Sequence, residues 1–253
     1  MSDSDRPLDT ANPYNAVNGC LYDRVRPTYP LASTQAFVAE LRCIGGSVLD
    51  IACGTGALAT KLADAGCQVT GVDIAIGMLL AGRHRGSVVC GSAELLPFKS
   101  ARFRAASIGQ AFHWLQPSRA LAEIAHALIP GGRLGLIWNF RDVDTGVERM
   151  IDKCVEQYSE PPSSTWRGVE SWPDVVESTG PFQFIREESV GWERQRTLDE
   201  VVAGVLTRSY VAVLPAERQR IIATELRARL KSRLEIAARY TTSWYVFVRE
   251  PLK

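Results

Sequence analysis

Two carboxylates and two glycines stand at spacings that suit a small ligand. In the run Val48-Leu49-Asp50-Ile51-Ala52-Cys53-Gly54-Thr55-Gly56-Ala57-Leu58 an apolar stretch ends at a turn holding both glycines, and a helical pattern starts at once. The missing Cβ atoms of Gly54 and Gly56 let backbone approach a ligand closely, and the amides of a helix start face it. Nineteen positions after Gly54, Asp73 ends a second apolar run, Val69-Thr70-Gly71-Val72. A carboxylate there can accept hydrogen bonds from both hydroxyls of a ribose, so the two features together read as an adenosine site. The plainer alternative, a structural strand-to-helix turn, does not account for Asp73 at that spacing.

Two kinds of cofactor compete for such a site. Gly54-Thr55-Gly56-Ala57-Leu58-Ala59 satisfies the G-x-G-x-x-G/A pattern of dinucleotide binding, with Asp73 as its acidic partner. Asp50 argues against a dinucleotide, because a carboxylate beside the turn repels a pyrophosphate and attracts an ammonium group. S-adenosylmethionine (SAM) carries an α-amino group and a sulfonium and has no phosphate, so charge favours it.

Such residues need strands that end together and helices that start beyond them. Between residues 47 and 139 short apolar runs alternate with helical stretches, the pattern of strands buried on both faces and of the helices that cover them. Right-handed crossovers turn that alternation into a doubly wound α/β sheet, whose ligands bind beyond the carboxyl ends of its strands. Residues 1–20 are polar and broken by Pro7, Pro13 and Gly19, so a flexible arm is expected there. Pro30 opens a helix that stops before Gly45-Gly46. Farther on, 144–158 reads as helix, 160–164 as loop, 182–185 as strand and 198–206 as helix. Ile222, Leu226, Leu230 and Leu234 recur every four residues along one face of a helix expected from 215 to 240, with its charged face in solvent. Trp244-Tyr245-Val246-Phe247-Val248 closes the chain as a strand.

Composition narrows the partners. Lys and Arg total 29 against 28 Asp and Glu, a net charge of +1 that gives no overall attraction for nucleic acid or anionic membrane. At 46% apolar and 23% charged residues, disordered and fibrous classes are excluded. No run approaches the ~20 apolar residues of a membrane span, and the start lacks the pattern of a signal peptide. The six cysteines show neither zinc-ligand spacing nor a disulfide framework, so reduced thiols in the cytoplasm, and no metal, are expected.

Four ordered motifs carry a resemblance. Asp50-Ile51-Ala52-Cys53-Gly54-Thr55-Gly56 resembles the D-x-G-x-G-x-G first motif of class I SAM-dependent methyltransferases, and Val72-Asp73 with Met78-Leu79 their second. Gly91-Ser92-Ala93-Glu94-Leu95-Leu96-Pro97-Phe98 is similar to the third, and Ile129-Pro130-Gly131-Gly132 to the turn before the fifth strand. Together they resemble the methyltransferase type 11 domain, and a Rossmann-like, mostly parallel seven-stranded sheet is implied. Two positions depart from the pattern. Ala52 replaces the first glycine, and Ser92 replaces an Asp that usually accepts from the adenine amino group, which shifts adenine recognition toward the Ala93 backbone and Glu94.

The resemblance implies roles for the other residues. Asp50 orients the methionine amino end over the Ala52, Cys53, Gly54 and Gly56 backbone, Asp73 holds the ribose, Ile74 and Met78 flank adenine, and Gln110 and Ala111 face the sulfonium end. Tyr22-Asp23-Arg24-Val25-Arg26-Pro27-Thr28-Tyr29-Pro30 resembles a segment that folds over the cofactor as a lid, with Arg26 on the methionine carboxylate and Tyr22 and Tyr29 toward the substrate. A surface ion pair is the alternative for Arg26. His113, beside Trp114, is a candidate general base or a structural hydrogen-bonder, while Asn139 and Arg141 are candidates to position a polar or anionic substrate. Trp166, Trp172, Trp192 and Tyr210 lie in the section where such enzymes build acceptor pockets. The chain divides into an arm (1–20), a lid and helix (21–46), a SAM-binding core (47–139), a substrate-region insert (140–215) and a closing helix and strand (216–253). The expected activity is methyl transfer to O or N of a small molecule by a monomer or homodimer. A SAM-binding protein without transfer and an NAD-dependent oxidoreductase are the alternatives.

Overall fold

The apolar runs flanking the glycine turn become β1 (Ser47–Ile51) and β2 (Gln68–Asp73), parallel and registered so that Asp50 lies beside Gly71. The computed structural model describes residues 13–143, 145–159, 171–233 and 235–251. Residues 1–12 of the expected arm, Asp144, the loop at 160–164, Trp166 and Leu234 lie outside the described residues. Strands β3 (Ser87–Cys90), β4 (Phe103–Gly109), β5 (Leu128–Arg141), β6 (Phe182–Arg196) and β7 (Ile236–Arg249) complete a seven-stranded sheet in the order β3-β2-β1-β4-β5-β7-β6. β1 to β5 are parallel, and β7 runs antiparallel between β5 and β6. This is the Rossmann-like α/β architecture the motifs imply. Strand order reverses between β1 and β4, so a crevice opens at their carboxyl ends.

Alternating side chains serve the two faces of the sheet. Val48, Ala105, Ile137 and Val246 pack against Phe37 and Leu41 of α2 (Leu31–Leu41) and Leu58 and Leu62 of α3 (Ala57–Asp64). Leu49, Ile51, Ile108 and Leu136 pack against Leu121 and Ile124 of α5 (Pro117–Ala127) and Val176 of α7 (Trp172–Thr179). Gly135 must be a glycine, since a Cβ there would lie 2.4 Å from the Phe37 ring. A third cluster stands apart, built from α6 (Gly146–Glu156), α8 (Leu198–Leu206) and α10 (Ala216–Leu230) with Ile236. Among the described residues no helix is long and apolar enough to cross a membrane.

Three local readings change. The closing helix ends at Leu230 rather than at 240, because Ile236, Ala238 and Tyr240 alternate into the core from β7 and pair with β6. The strand expected at 182–185 extends to Arg196, its exposed alternate positions carrying the charges of a solvated edge strand. Residues 13–20 do not hang free. They form a 3-10 turn (Pro13–Ala16) and enter α1 (Gly19–Val25), and Val17 is buried against Ala75 and Met78.

Phe37 is wholly buried between helix and sheet. Phe37→Ala is expected to cost about 3–5 kcal/mol through the cavity it leaves. The check is a lowered urea midpoint at unchanged slope.

Candidate active site

The glycine turn is bent by backbone in the left-handed region. Ala52, Gly54 and Gly56 have φ of 52°, 55° and 85°, and α3 starts directly after Gly56. Ala52 pays for the departure from glycine with a Cβ in a conformation that L residues disfavour by roughly 1–2 kcal/mol. At Gly56 a side chain is excluded twice over, since a Cβ would also lie 2.7 Å from Nδ1 of His84. Asp73 pins the turn: its Oδ2 accepts from the Gly54 amide at 2.8 Å and its Oδ1 from the Ala75 amide at 2.7 Å. Burial raises its pKa, and these amide bonds partly oppose the rise.

Asp50 sits at the centre of the sheet between Gly71 of β2 and Ser107 of β4. Ser107 Oγ donates to its Oδ1 at 2.7 Å, whereas the buried Oδ2 has no partner. Burial pushes the carboxyl up to about 7, with the Ser107 bond and the Ala59 amide working in the opposite direction. The residue lines a cleft of about 350 Å³, so an unpartnered carboxylate oxygen marks a place for a cation.

The N-terminal segment forms one wall of this cleft through Tyr14, Tyr22, Arg26 and Tyr29. Tyr14 meets Tyr22 and Trp114 edge-on at 6.2 and 6.1 Å. Arg26 lies 4.8 Å over the Tyr22 ring and donates to the Thr207 carbonyl at 2.9 Å, while its buried Nε has no partner. It makes no ion pair among the described residues. Past β4, Gln110 is left-handed at φ 60° and His113 lies in a short 3-10 turn (Phe112–Trp114). Burial holds the His113 imidazole down to about 4, so it is neutral near pH 7, and its Nδ1 has no partner.

The cleft therefore gathers Tyr22, Arg26, Tyr29, Asp50, Ala52, Cys53, Gly54, Gln110, His113, Trp114, Asn139 and Arg141. Asp73, bonded to the Gly54 amide, and Gly56, the last residue of the turn, are not in its lining. Ile74, Met78, Ser92, Ala93, Glu94 and Ala111 are not in its lining. Met78 is buried under Val17, and Ser92 Oγ is engaged with Glu94 Oε2 at 2.5 Å while Glu94 Oε1 accepts from the Gln116 amide. Two candidate substrate residues already have structural partners. Asn139 accepts from Thr242 and donates, at 3.4 Å, to the Pro27 and Thr28 carbonyls, and Arg141 is paired with Glu148 and bidentately with Asp152. Trp172 stacks on Trp138 in the core and Trp192 on Tyr240, each at 4.8 Å, whereas Tyr210 reaches the cleft.

A profile of the methyltransferase domain family, type 11, matches residues 49–136. An uncharacterized methyltransferase of Mycobacterium tuberculosis is 33% identical over 199 residues, covering 78% of this chain and 76% of its own. The chain belongs to the class I SAM-dependent methyltransferases. A demethylmenaquinone methyltransferase of Corynebacterium urealyticum is 31% identical over 162 residues, 59% of this chain and 70% of its own. A solved structure assigned as a type II methyltransferase of Anaeromyxobacter dehalogenans aligns at TM-score 0.68 and 22% identity, covering 90% and 99% of the two chains, and speaks to the fold.

Several cleft residues of this methyltransferase escaped sequence reasoning. Tyr14 lies among turn-forming residues, and Arg196 and Arg208 acquire meaning only from carboxylates far away in sequence. Glu148 and Asp152, one helical turn apart on α6, were the available signal. The donor set suits SAM: a bare buried carboxylate oxygen at Asp50 and an unpaired guanidinium at Arg26 match the two charges of its methionine end.

The raised carboxyl of Asp50 has a definite sign. The folded state holds the proton more tightly than the unfolded chain, whose Asp titrates near ~3.9, so stability falls as pH rises from about 4 through about 7. Melting curves across this range are expected to show the wild type losing stability relative to Asp50→Asn, whereas parallel curves would contradict the raised pKa.

Proposed function

We propose that this methyltransferase moves a methyl group from SAM to an O or N atom of a small-molecule acceptor in the cytoplasm. The observation that carries the reading is a cleft running from Asp50 and the glycine turn past His113 to the helices beyond β5, of a size, about 350 Å³, usual for small-molecule sites. A relative named for its action on demethylmenaquinone supports a small acceptor. When bound, SAM supplies an electrophilic methyl group on a sulfonium. The chain's own residues bind, orient and exclude water.

In this reading Asp50 takes the α-ammonium, Arg26 the methionine carboxylate and the backbone at 52–56 the chain between them. Asp73 takes the ribose, Ile74 and Met78 lie toward adenine, and Ser92, Ala93 and Glu94 toward its edge. Gln110 and Ala111 border the reacting end. Neutral His113 presents a ring nitrogen to the acceptor, able to accept a hydrogen bond or, where the acceptor must lose a proton, that proton. A dinucleotide fits poorly, because its pyrophosphate would face the Asp50 carboxylate.

Calorimetry tests the cofactor assignment. Asp73→Ala is expected to weaken SAM binding at least ten-fold, and an unchanged affinity would sink it. For an acceptor that turns over, His113→Gln is expected to lower kcat with SAM affinity intact. Equal kcat in the two proteins would remove His113 from the reaction.

A further inference from the structure

The lobe side of the cleft holds more positive charge than its own carboxylates neutralise. Arg141 ends β5, Arg196 ends β6 and Arg208 follows α8, and all three line the cleft. They share two carboxylates of α6. Glu148 pairs with Arg141 and Arg196, while Asp152 pairs with Arg141 and, at 2.9 Å, with Arg208. Arg196 and Arg208 reach no further carboxylate among the described residues, and Arg196 Nε is buried without a partner. Arg208 adds only the Tyr210 hydroxyl, at 3.1 Å from Nη1.

Other charged groups nearby do not remove the surplus. Glu200, which also lines the cleft, is bound by Arg194 at 2.6 Å and by its own capping box, so that pair is neutral. Glu156 also lines the cleft, but it is exposed to solvent, where its charge is screened, and it pairs with none of the three arginines among the described residues. Arg26 enters from the other wall and donates to the carbonyl of Thr207, the residue before Arg208, bringing a guanidinium with no ion pair among the described residues into the neighbourhood. If Arg26 and Asp50 match the carboxylate and ammonium of SAM, two positive charges stay uncompensated in the loaded cleft: the sulfonium and the arginine cluster. Burying charge without a counter-charge is costly, and a planar guanidinium fork suits a carboxylate.

We propose that the acceptor carries a carboxylate, held in the cleft by Arg208 with Arg196. This rests on the methyl-transfer reading and names its substrate class. The cluster's surplus charge selects acids over neutral analogues of the same shape.

The probes are two acid and amide pairs, benzoate with benzamide and succinate with succinamide. Each is titrated by calorimetry into the full chain, with and without saturating S-adenosylhomocysteine. At least one acid is expected to bind ten-fold or more tighter than its amide, Arg208→Gln to abolish that preference and Arg208→Lys to restore part of it. The affinity for S-adenosylhomocysteine should stay within three-fold of wild type in both variants. Equal binding of acid and amide, binding of no acid, or a preference that survives Arg208→Gln would overturn the proposal. So would a ten-fold loss of S-adenosylhomocysteine affinity in Arg208→Gln, which would give Arg208 to the cofactor's carboxylate. A wild type that ignores S-adenosylhomocysteine refutes the cofactor reading instead, and the titrations without it still decide the acid preference.

Discussion

The Asp73 carboxylate organises the site. By accepting from Gly54 and Ala75 it ties the turn after β1 to the start of the segment after β2, so the two strand ends cannot drift apart. A turn with Ala52, Gly54 and Gly56 in the left-handed region is conformationally expensive, and it persists because this bond and the sheet beneath hold it. The helix that starts at Ala57 inherits its direction from the same turn. Asp50, at the end of the strand below, is fixed by the Ser107 hydroxyl at its Oδ1.

A second organising element is the ion-pair cluster beyond β5. Glu148 is wholly buried between Arg141 and Arg196, and truncating it would leave the buried charge of Arg196 without a carboxylate. Arg141 therefore anchors α6 to the end of β5, the role its position in the sequence did not reveal. The small helical lobe is thereby fastened to the sheet by charge as well as by its own apolar cluster.

Much of the sheet could be read from sequence because its central strands are buried on both faces. Runs such as 48–51 and 105–108 are then almost wholly apolar, and the residues just past them stand out. The edge strand β6 resisted reading for the opposite reason: Arg186, Glu187 and Glu193 face solvent, and charge masks the alternation. The four-residue spacing from Ile222 to Leu230 is a true helical face, but its continuation to 240 was an accident of composition that pairing with β6 overrides. At the site, residues whose chemistry is local to a motif, such as Asp50 and Asp73, were found. Residues whose meaning depends on distant partners, such as Arg196 and Arg208, were not.

The contacts of the N-terminal segment join opposite sides of the cleft. Arg26 reaches across to the carbonyl of Thr207, and Arg194 reaches back to the carbonyl of Val25 at 3.2 Å, so wall and lobe clasp each other above the cleft. The only other polar ties described for Pro27 and Thr28 are the two long bonds from Asn139. Hydrogen bonds of this kind contribute about 0.5–1.5 kcal/mol each, small beside the packing that holds the sheet. Val17 packs against Ala212, so apolar burial joins the same two sides. The wall that carries Tyr14, Tyr22 and Arg26 is therefore held by the lobe that carries Arg208, and a substitution that loosens one side of the cleft is felt at the other.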